Sequence, residues 1–346
     1  MTSARRPGSL RRAWSAYRLR LKRRALLWRA IRARRGLVPV ADRSAAIRPG
    51  DILGFATLRN EMQRLPEFLD HYRKLGVAHF LIVDNASDDG SADFLRGQPD
   101  VSLWTTPASY REARFGLDWM GALLLRHGHG HWCVCVDADE LLVYPHCDSH
   151  DLHALTGYLQ ARGVAGMGAM MLDLYPQGPL DQPGPGGSVT QQLPWFDPGP
   201  YACQILQPRR NRWLQGGPRA RVFFADRPAR APTLNKLPLI RWNWRYVYVN
   251  STHSMLPARL NDLYDGPGDP RLSGVLLHSK FLPGIGARSS EELARRQHFA
   301  DPDAYQTYHQ ALTAAPVLWH PGSVRYRDWR QLAELGLIGG GDWSNE

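Results

Sequence analysis

Two carboxylates directly follow a short apolar segment at residues 132–140, which reads Trp-Cys-Val-Cys-Val-Asp-Ala-Asp-Glu. An apolar run of this length predicts a buried β-strand, with Asp137 and Asp139 at its end. Two uncompensated carboxylates repel each other and resist desolvation, whereas a hard divalent cation binds their oxygens and leaves room for a diphosphate. The pattern therefore favours a metal site at Asp137 and Asp139, with chance occurrence in a surface loop as the alternative.

A histidine and a lysine occur two residues apart in the apolar segment 274–281. On a β-strand, His278 and Lys280 would project from one face, about 7 Å apart. A neutral imidazole suits a metal and an ammonium suits a diphosphate, although an isolated histidine of this kind is more often a core residue. Because the chain has only four lysines among 43 basic residues, a lysine in a buried strand implies a partner. Arg219 and Arg221 are predicted to share a strand face too, either binding phosphate or acceptor or covering the sheet.

A further group of polar residues follows two predicted strands. Asp84 comes directly after the apolar segment 77–83, where its carboxylate could accept hydrogen bonds from a base or a ribose. The alternative is a simple turn, because residues 85–90 are turn formers. Thr57 and Asn60, at the end of the first strand, are expected to face the same crevice.

The elements that must position these residues alternate along the chain. Strands are predicted at 51–57, 77–83, 101–105 and 132–140, with helices at 66–75, 92–96 and 109–126 between them. This order predicts an α/β fold with a mostly parallel, Rossmann-like sheet flanked by helices and a ligand at the C-terminal strand edge. Further on, we predict a helix at 151–162, strands at 167–174, 219–224, 244–249 and 274–281, and polar helices at 289–313. The segment 176–200 is rich in Pro, Gly and Gln, which predicts a surface excursion.

The composition divides the chain into an arm at 1–43, a ligand-binding half at 44–175 and an acceptor-facing half at 176–346 of the same domain. Residues 1–43 hold 14 basic residues and one acidic residue, whereas the rest holds 29 basic and 31 acidic residues. Within residues 9–35, one helical stripe contains Leu10, Trp14, Tyr17, Leu21, Ala25 and Trp28, with arginines off the stripe. Such a helix suits an anionic membrane surface, with a solvated charge run or docking on its own domain or a partner as alternatives. No nucleic-acid binding is expected.

No apolar run approaches the length of a membrane span, and arginines interrupt every candidate signal-peptide core. The four cysteines are too few and too unevenly spaced for a disulfide framework, and Cys133 and Cys135 are predicted to be core residues of a reduced chain. We therefore expect a cytoplasmic protein, peripheral at the inner face of the cell membrane.

Several motifs together resemble bacterial family 2 glycosyltransferases, and more narrowly the family-2-like branch related to the family 92 enzymes. They are Leu58-Arg59-Asn60-Glu61, Val83-Asp84-Asn85-Ala86-Ser87-Asp88-Asp89-Gly90-Ser91, Val136-Asp137-Ala138-Asp139-Glu140, Gly216-Gly217-x-Arg219, Leu234-Asn235-Lys236-x-Pro238 and His278-x-Lys280. The resemblance covers roughly residues 50–315. It implies a GT-A fold, a nucleotide-diphosphate sugar donor, and Mn²⁺ or Mg²⁺ as cofactor.

By this resemblance, Asp84 would meet the base, Asp137 the ribose or metal, and Asp139 and His278 the metal. The acceptor would be a saccharide or glycolipid in surface polysaccharide or glycolipid synthesis, and the transfer would invert the anomeric centre. One departure concerns the general base, because no Glu-Asp pair matches the usual motif in the second half. A carboxylate within reach of the acceptor hydroxyl is needed, for which Asp173 and then Asp197 are the candidates.

Two other functions remain open from the sequence. A nucleotidyltransferase would share the sheet and the acidic site, although it usually needs a glycine-rich loop where residues 58–61 stand. A non-catalytic protein could use the basic arm to hold a membrane or nucleic acid. A dehydrogenase is disfavoured because no G-x-G-x-x-G follows a strand, and a P-loop enzyme is excluded by the lack of G-K-[S/T].

Overall fold

The computed structural model describes residues 9–182, 186–286 and 312–343, so that nearly all of the helical region predicted at 289–313 lies outside the described residues. The α-helices in the described part are α1 (Ser9–Ala33), α2 (Leu65–Lys74), α3 (Ser91–Arg96), α4 (Leu117–Leu123), α5 (Leu152–Ala161), α6 (Val189–Gln192) and α7 (Trp329–Glu334). Short 3-10 turns occur at Arg34–Gly36, Ser44–Ala46, Pro228–Arg230 and Ala258–Asp262, and π-helical turns at Leu124–Gly128 and Arg219–Phe223.

The strands fall into one large sheet and three small ones. The large sheet contains β1 (Val38–Ala41), β2 (Ile52–Leu58), β3 (Val77–Asp84), β4 (Val101–Thr105), β5 (Trp132–Cys135), β6 (Glu140–Val143), β7 (Gly166–Asp173), β11 (Asn235–Arg241) and β14 (Gly274–His278). The two-stranded sheets pair β9 (Tyr201–Leu206) with β10 (Asn211–Gly216), β12 (Val247–Tyr248) with β13 (Met255–Leu256), and β8 (Trp195–Phe196) with β15 (Val324–Arg325).

The large sheet has the strand order β1-β4-β3-β2-β5-β11-β7-β14-β6. Strands β2 to β5 pair in parallel, and β14 is parallel to β7, whereas β1, β11 and β6 are antiparallel to their neighbours. Because β11 is antiparallel to both β5 and β7, those two strands run in the same direction. Six of the nine strands of this sheet therefore share one direction, which confirms the predicted α/β fold with a mostly parallel sheet.

Helices cover both faces of the sheet, as a buried parallel sheet requires. Alternate residues of β3 enter different cores: Phe80 and Ile82 pack on the side of α2, α3 and α5, whereas Leu81 and Val83 pack on the side of α4. Cys133 and Cys135 are fully buried on the α4 side, as the sequence predicted. No helix in the described part of the chain is both long and apolar enough to cross a membrane.

Five predicted elements differ from the structure. The strand predicted at 132–140 ends at Cys135, and β6 begins after the intervening turn, at Glu140. The helix predicted from 109 begins only at Leu117, because Arg114, Phe115 and Gly116 adopt positive φ angles of 54°, 60° and 76°. Residues 219–224 form a π-helical turn instead of a strand, so Arg219 and Arg221 do not share a strand face. In 244–249 only Val247–Tyr248 is a strand. The strand predicted at 274–281 ends at His278, which leaves Lys280 beyond it.

Candidate functional site

The chain brings chemically active residues together where strands of one direction end. Four strands of the large sheet end at the same edge, each beside a polar residue. Strand β3 ends at Asp84, β7 at Asp173 and β14 at His278, and β5 ends two residues before Asp137. The antiparallel strands β6 and β11 begin at this edge, with Glu140 and Asn235. Parallel strands thus supply the site from their C-termini, and antiparallel strands supply it from their N-termini.

The acidic turn after β5 is the centre of this site. Carboxylate oxygens of Asp137, Asp139 and Glu140 lie within 4.8 Å of one another. The turn is closed by the amide of Glu140, which donates to the carbonyl of Asp137 at 3.1 Å, and the amide of Asp137 donates to Oε2 of Glu140 at 3.1 Å. Oxygen ligands at this spacing suit a hard divalent cation.

Strand register places a histidine beside this turn. His278 is the register partner of Asp173 on β7 and of Glu140 on β6, so three polar residues lie side by side on neighbouring strands. Its Nδ1 atom lies 2.6 Å from Oδ1 of Asp173, and its Nε2 atom lies 3.0 Å from Oδ2 of Asp139. Burial by itself lowers the pKa of His278, but the charge of Asp139 and the hydrogen bonds with Asp139 and Asp173 outweigh it and raise that pKa.

Asp173 is engaged on both of its oxygens. Oδ1 faces His278, and Oδ2 accepts from Nε of the buried Arg219 at 2.7 Å. Burial opposes ionisation of Asp173, yet the Arg219 charge and the His278 hydrogen bond lower its pKa to about 2. A carboxylate with so low a pKa is a poor proton acceptor, so its environment argues against the predicted general base and suits orientation of the imidazole.

A lysine that the sequence analysis did not assign lies under the acidic turn. Lys236, on β11, is 2% exposed, and its Nζ atom lies 2.8 Å from both Asp137 Oδ2 and Glu140 Oε1. Burial favours the neutral amine, but Asp137 and Glu140 raise the pKa of Lys236, which keeps its charge. Glu140 is fully buried, and this burial raises its pKa even against the attraction of Lys236.

Residues after β14 hold the other side of the acidic turn. The amide of Ser279 donates to the carbonyl of Asp139 at 2.8 Å. The buried Arg64 donates from Nε to the Ser279 hydroxyl at 3.1 Å and from Nη2 to its carbonyl at 3.0 Å, and it also pairs with Glu61. Burial raises the pKa of Asp139, but His278, Arg64 and Lys280 together lower it strongly. Lys280 is therefore close enough to influence Asp139, although it does not share the strand face of His278.

The residues predicted to bind the nucleoside lie at the ends of β2 and β3. Both oxygens of the buried Asp84 accept hydrogen bonds from Ser87, one from its hydroxyl and one from its amide at 3.0 Å. Oδ1 of Asn60 accepts from the amide of Asp88 at 3.0 Å, which joins the two loops. Oγ1 of Thr57 is buried without a hydrogen-bond partner. The side chains of Asp84 and Asn60 thus fix the conformation of the two loops that follow β2 and β3, whereas Oγ1 of Thr57 makes no hydrogen bond.

The second predicted base, Asp197, belongs to another set of contacts. Its carboxylate accepts from the Tyr175 hydroxyl and from Nε and Nη2 of Arg221 at 3.0 and 3.1 Å, and His320 lies 3.4 Å away. Asp197 is buried, and Arg221 also donates to the carbonyl of Leu318 at 2.6 Å. These contacts connect β8 to the segment that begins at 312 and engage both oxygens of the Asp197 carboxylate, and a catalytic role for Asp197 stays a prediction.

Comparisons with known proteins leave the family open. No family model matches the chain, and no curated protein matches it. Among solved structures, TarS of S. aureus is 12% identical with a TM-score of 0.25, over 41% of this chain and 26% of that chain. The mannosyltransferase PcManGT of Pyrobaculum calidifontis, in complex with GDP-Man and Mn²⁺, is 23% identical with a TM-score of 0.27, over 48% of this chain and 47% of that chain.

A third structure, a proposed glucose-1-phosphate thymidylyltransferase of Bacillus anthracis in complex with sucrose, is 8% identical with a TM-score of 0.27, over 77% of this chain and 84% of that chain. The chain thus spans 26% and 47% of the first two structures. Likenesses of this size carry no conclusion, and the assignment of function depends on the site itself.

Proposed function

We propose that this protein is a metal-dependent glycosyltransferase of the GT-A type that transfers a sugar from a nucleoside-diphosphate donor. One observation carries the proposal: His278 lies between Asp173 and Asp139, beside an acidic turn at the C-terminal edge of a mostly parallel sheet. In open α/β sheets this edge is where ligands bind. A carboxylate behind a histidine is the arrangement that fixes an imidazole for a metal.

The residues present fit Mn²⁺ or Mg²⁺. Asp137 and Asp139 offer carboxylate oxygens, and Nε2 of His278 faces Asp139, a donor set of oxygen with one imidazole that suits Mn²⁺ in particular. We assign these three residues as ligands and Glu140 as a support, because Glu140 is fully buried between Lys236 and the amide of Asp137. When bound, the cation would neutralise charge on the departing diphosphate.

The chain's own cations would act on the same charge. Lys280 follows the site strand and contributes to the low pKa of Asp139, so its ammonium can meet diphosphate oxygens near that carboxylate. The ion pair with Lys236 would fix the position of the Asp137 carboxylate. Arg219 would likewise fix the Asp173 carboxylate, which in turn orients His278. Preorganised charges of this kind stabilise a leaving group without reorganising during the reaction.

The nucleoside would lie across the ends of β2 and β3. The loop pair joined through Asn60 and Asp84 would form the wall of the pocket, and Thr57, whose Oγ1 is buried, would support that wall from the end of β2. In this proposal residues 44–175 supply most of the donor site, and 176–346 the acceptor side. The acceptor would be a saccharide or a lipid-linked saccharide in surface polysaccharide or glycolipid synthesis, reached at the inner face of the cell membrane.

The resemblance to family 2 supports inversion at the anomeric carbon. The measurement is the NMR signal of the anomeric proton of the transferred sugar in the glycoside product, in which inversion gives the anomer opposite to that of the donor. Retention would contradict this part of the proposal and leave the donor site untouched.

The first experiment is a thermal-shift panel of UDP, GDP, ADP, CDP and dTDP, each with Mn²⁺ and with EDTA. A ligand that binds only the folded state raises the unfolding midpoint by mass action. We expect one nucleotide to raise the midpoint in the presence of Mn²⁺ and to lose this effect in EDTA and in Asp139→Asn. No shift with any nucleotide would contradict the proposal, and pyrophosphate release from a nucleoside triphosphate would favour a nucleotidyltransferase instead.

A further inference from the structure

Helix α1 is attached to the body of the protein along one face. Leu26 is buried against Val247 and Leu256 of the β12–β13 pair. Ala30, 1% exposed, lies against Gly121 of α4, where an added Cβ would be only 3.1 Å from the Ala30 Cβ. Such close contact leaves no room for the helix to roll about its own axis.

Charged contacts fix the same face. Nε of Arg29 donates to Oδ2 of Asp118 at 2.9 Å, and its Nη2 donates to the carbonyl of Glu112 at 2.7 Å. Asp118 is buried and also accepts from Nε of Arg114 at 2.7 Å. Removing Arg29 would leave a buried carboxylate with one partner fewer, so this pair anchors the helix.

The apolar stripe predicted from the sequence lies on the opposite face. At 3.6 residues per turn, its centre is roughly half a turn away from Leu26 and Ala30. We name its large residues the outer stripe: they are Leu10, Trp14, Tyr17, Leu21 and Trp28, exposed by 85%, 62%, 50%, 45% and 64%. Helix α1 therefore does dock on its own domain, as one alternative had it, but through Leu26, Arg29 and Ala30. Within the described residues the large side chains of the outer stripe stay exposed.

Positive charge borders the outer stripe. Helix α1 contains nine arginines and lysines and no acidic residue. Arg18 lies along one border of the stripe and Arg24 along the other, as the helical period requires. A helix that carries nine cations and no acidic residue gains from an anionic partner.

We propose that the outer stripe binds an anionic lipid bilayer, with α1 lying in the plane of the interface. Tryptophan, tyrosine and leucine side chains would enter the boundary between headgroups and acyl chains, and the bordering arginines would meet lipid phosphates. A nucleic acid would use the arginines but leave the leucines exposed. A protein covering the stripe would have to desolvate arginines on both borders, whereas in a bilayer they stay in the headgroup layer.

This inference deepens the membrane association within the proposed function and rests on that part of it. Because α1 is packed against α4 and the β12–β13 pair, the catalytic body would be held in a fixed orientation at the membrane. Binding to vesicles does not require the donor site, so the two proposals can fail separately.

The test is co-sedimentation of the full chain with phosphatidylcholine vesicles, with and without phosphatidylglycerol. The stripe variant is Trp14→Ser/Leu21→Ser/Trp28→Ser. The matched control is Ile205→Ser/Leu206→Ser, which removes apolar residues that are 53% and 37% exposed on β9. We expect binding to phosphatidylglycerol vesicles that weakens with salt, an about tenfold or larger loss in the stripe variant, and no change in the control.

Equal binding by the stripe variant and the parent would overturn the inference, as would binding of duplex DNA but not of either vesicle. Both variants alter exposed side chains, and unchanged unfolding midpoints would show that they remain folded. An unchanged nucleotide-induced thermal shift in the stripe variant would separate this result from the donor site.

Discussion

Nδ1 of His278 lies 2.6 Å from a carboxylate oxygen of Asp173, and the other ring nitrogen lies 3.0 Å from Asp139. Arg219 binds the other oxygen of Asp173 and fixes this carboxylate, so the imidazole cannot rotate without losing its own bond to Asp173. The Asp173 carboxylate therefore determines which nitrogen is directed to the acidic turn.

The first prediction concerns this orientation. Asp173→Asn keeps the shape of the side chain but removes its charge, so Nδ1 of His278 loses its ionic partner. We expect Mn²⁺ affinity to fall about 10–100-fold, measured by isothermal titration calorimetry. Asp197→Asn is the matched control, because it removes a buried carboxylate that contacts Tyr175 and Arg221 instead. An equal loss of affinity in both variants would argue against a specific role for Asp173.

The second prediction concerns Lys236. Lys236→Met leaves Asp137 and Glu140 close together without the cation between them. We expect the free energy of unfolding to fall by about 3–5 kcal/mol in urea denaturation. Lys74→Met is the control, because its ion pair with Asp70 is exposed and is worth at most about 1 kcal/mol.

A double variant tests whether charge is the cause. Lys236→Met/Glu140→Gln removes one of the two carboxylates that the lysine neutralises, so the loss of stability should be smaller than the sum of the single losses. Additive losses would indicate that Lys236 acts through packing alone.

Much of the site could be predicted because strand ends are readable in a single sequence. Asp84, Asp137 and His278 each follow an apolar run, and strands of one direction bring their ends to one edge. Lys236 lies in one of the motifs that carry the resemblance but received no role, because it enters from an antiparallel strand whose position between β5 and β7 no local pattern specifies. The scarcity of lysine in the chain was the available signal, and it was applied only to Lys280.

Two of the wrongly predicted elements have identifiable causes, one local and one tertiary. The sequence around Ser109 and Glu112 does form a capping contact, with the Glu112 amide 3.3 Å from the Ser109 hydroxyl, but positive φ angles from Arg114 onwards stop a helix there. The segment 219–224 alternates like a strand, yet Arg219 and Arg221 are drawn to separate buried carboxylates. Tertiary ion pairs thus overrode the local pattern.

The third prediction concerns pH. Burial lowers the pKa of His71 from 6.5 to about 4, and the ring lies 2.9 Å from the carbonyl of Leu142. Between these pH values the unfolded chain binds a proton that the folded chain does not, so stability is present above pH 6.5 and is lost as the pH falls towards 4. We expect His71→Gln to reduce the slope of unfolding free energy against pH by up to about 1.4 kcal/mol per unit.

The measurement is urea denaturation at several pH values between 7 and 4.5. His129→Gln is the control, because the His129 side chain is exposed. A slope that is unchanged in His71→Gln would show that other groups dominate the acid dependence.

The fourth prediction concerns the packing of β7. A Cβ at Gly168 would overlap the Cβ of Tyr264, so Gly168→Ala must displace the aromatic side chain or the strand. We expect a loss of about 1–3 kcal/mol in the free energy of unfolding. Gly157→Ala, inside α5 and with open space around the added carbon, should instead stabilise the fold by about 0.5–1 kcal/mol. Equal effects of the two substitutions would contradict the packing described for β7.

The position of β11 has a consequence for the order in which the protein can fold during synthesis. Strand β5 ends at Cys135, but β11, which pairs with its second edge, begins only at Asn235. Strand β14, which carries the site histidine, ends at His278. While the ribosome makes the intervening chain, β5 keeps an unpaired edge, and the acidic turn lacks both its lysine and its histidine. Pairing over such sequence separations is slow. The nascent chain is therefore exposed to edge-to-edge association until most of the polypeptide has left the ribosome.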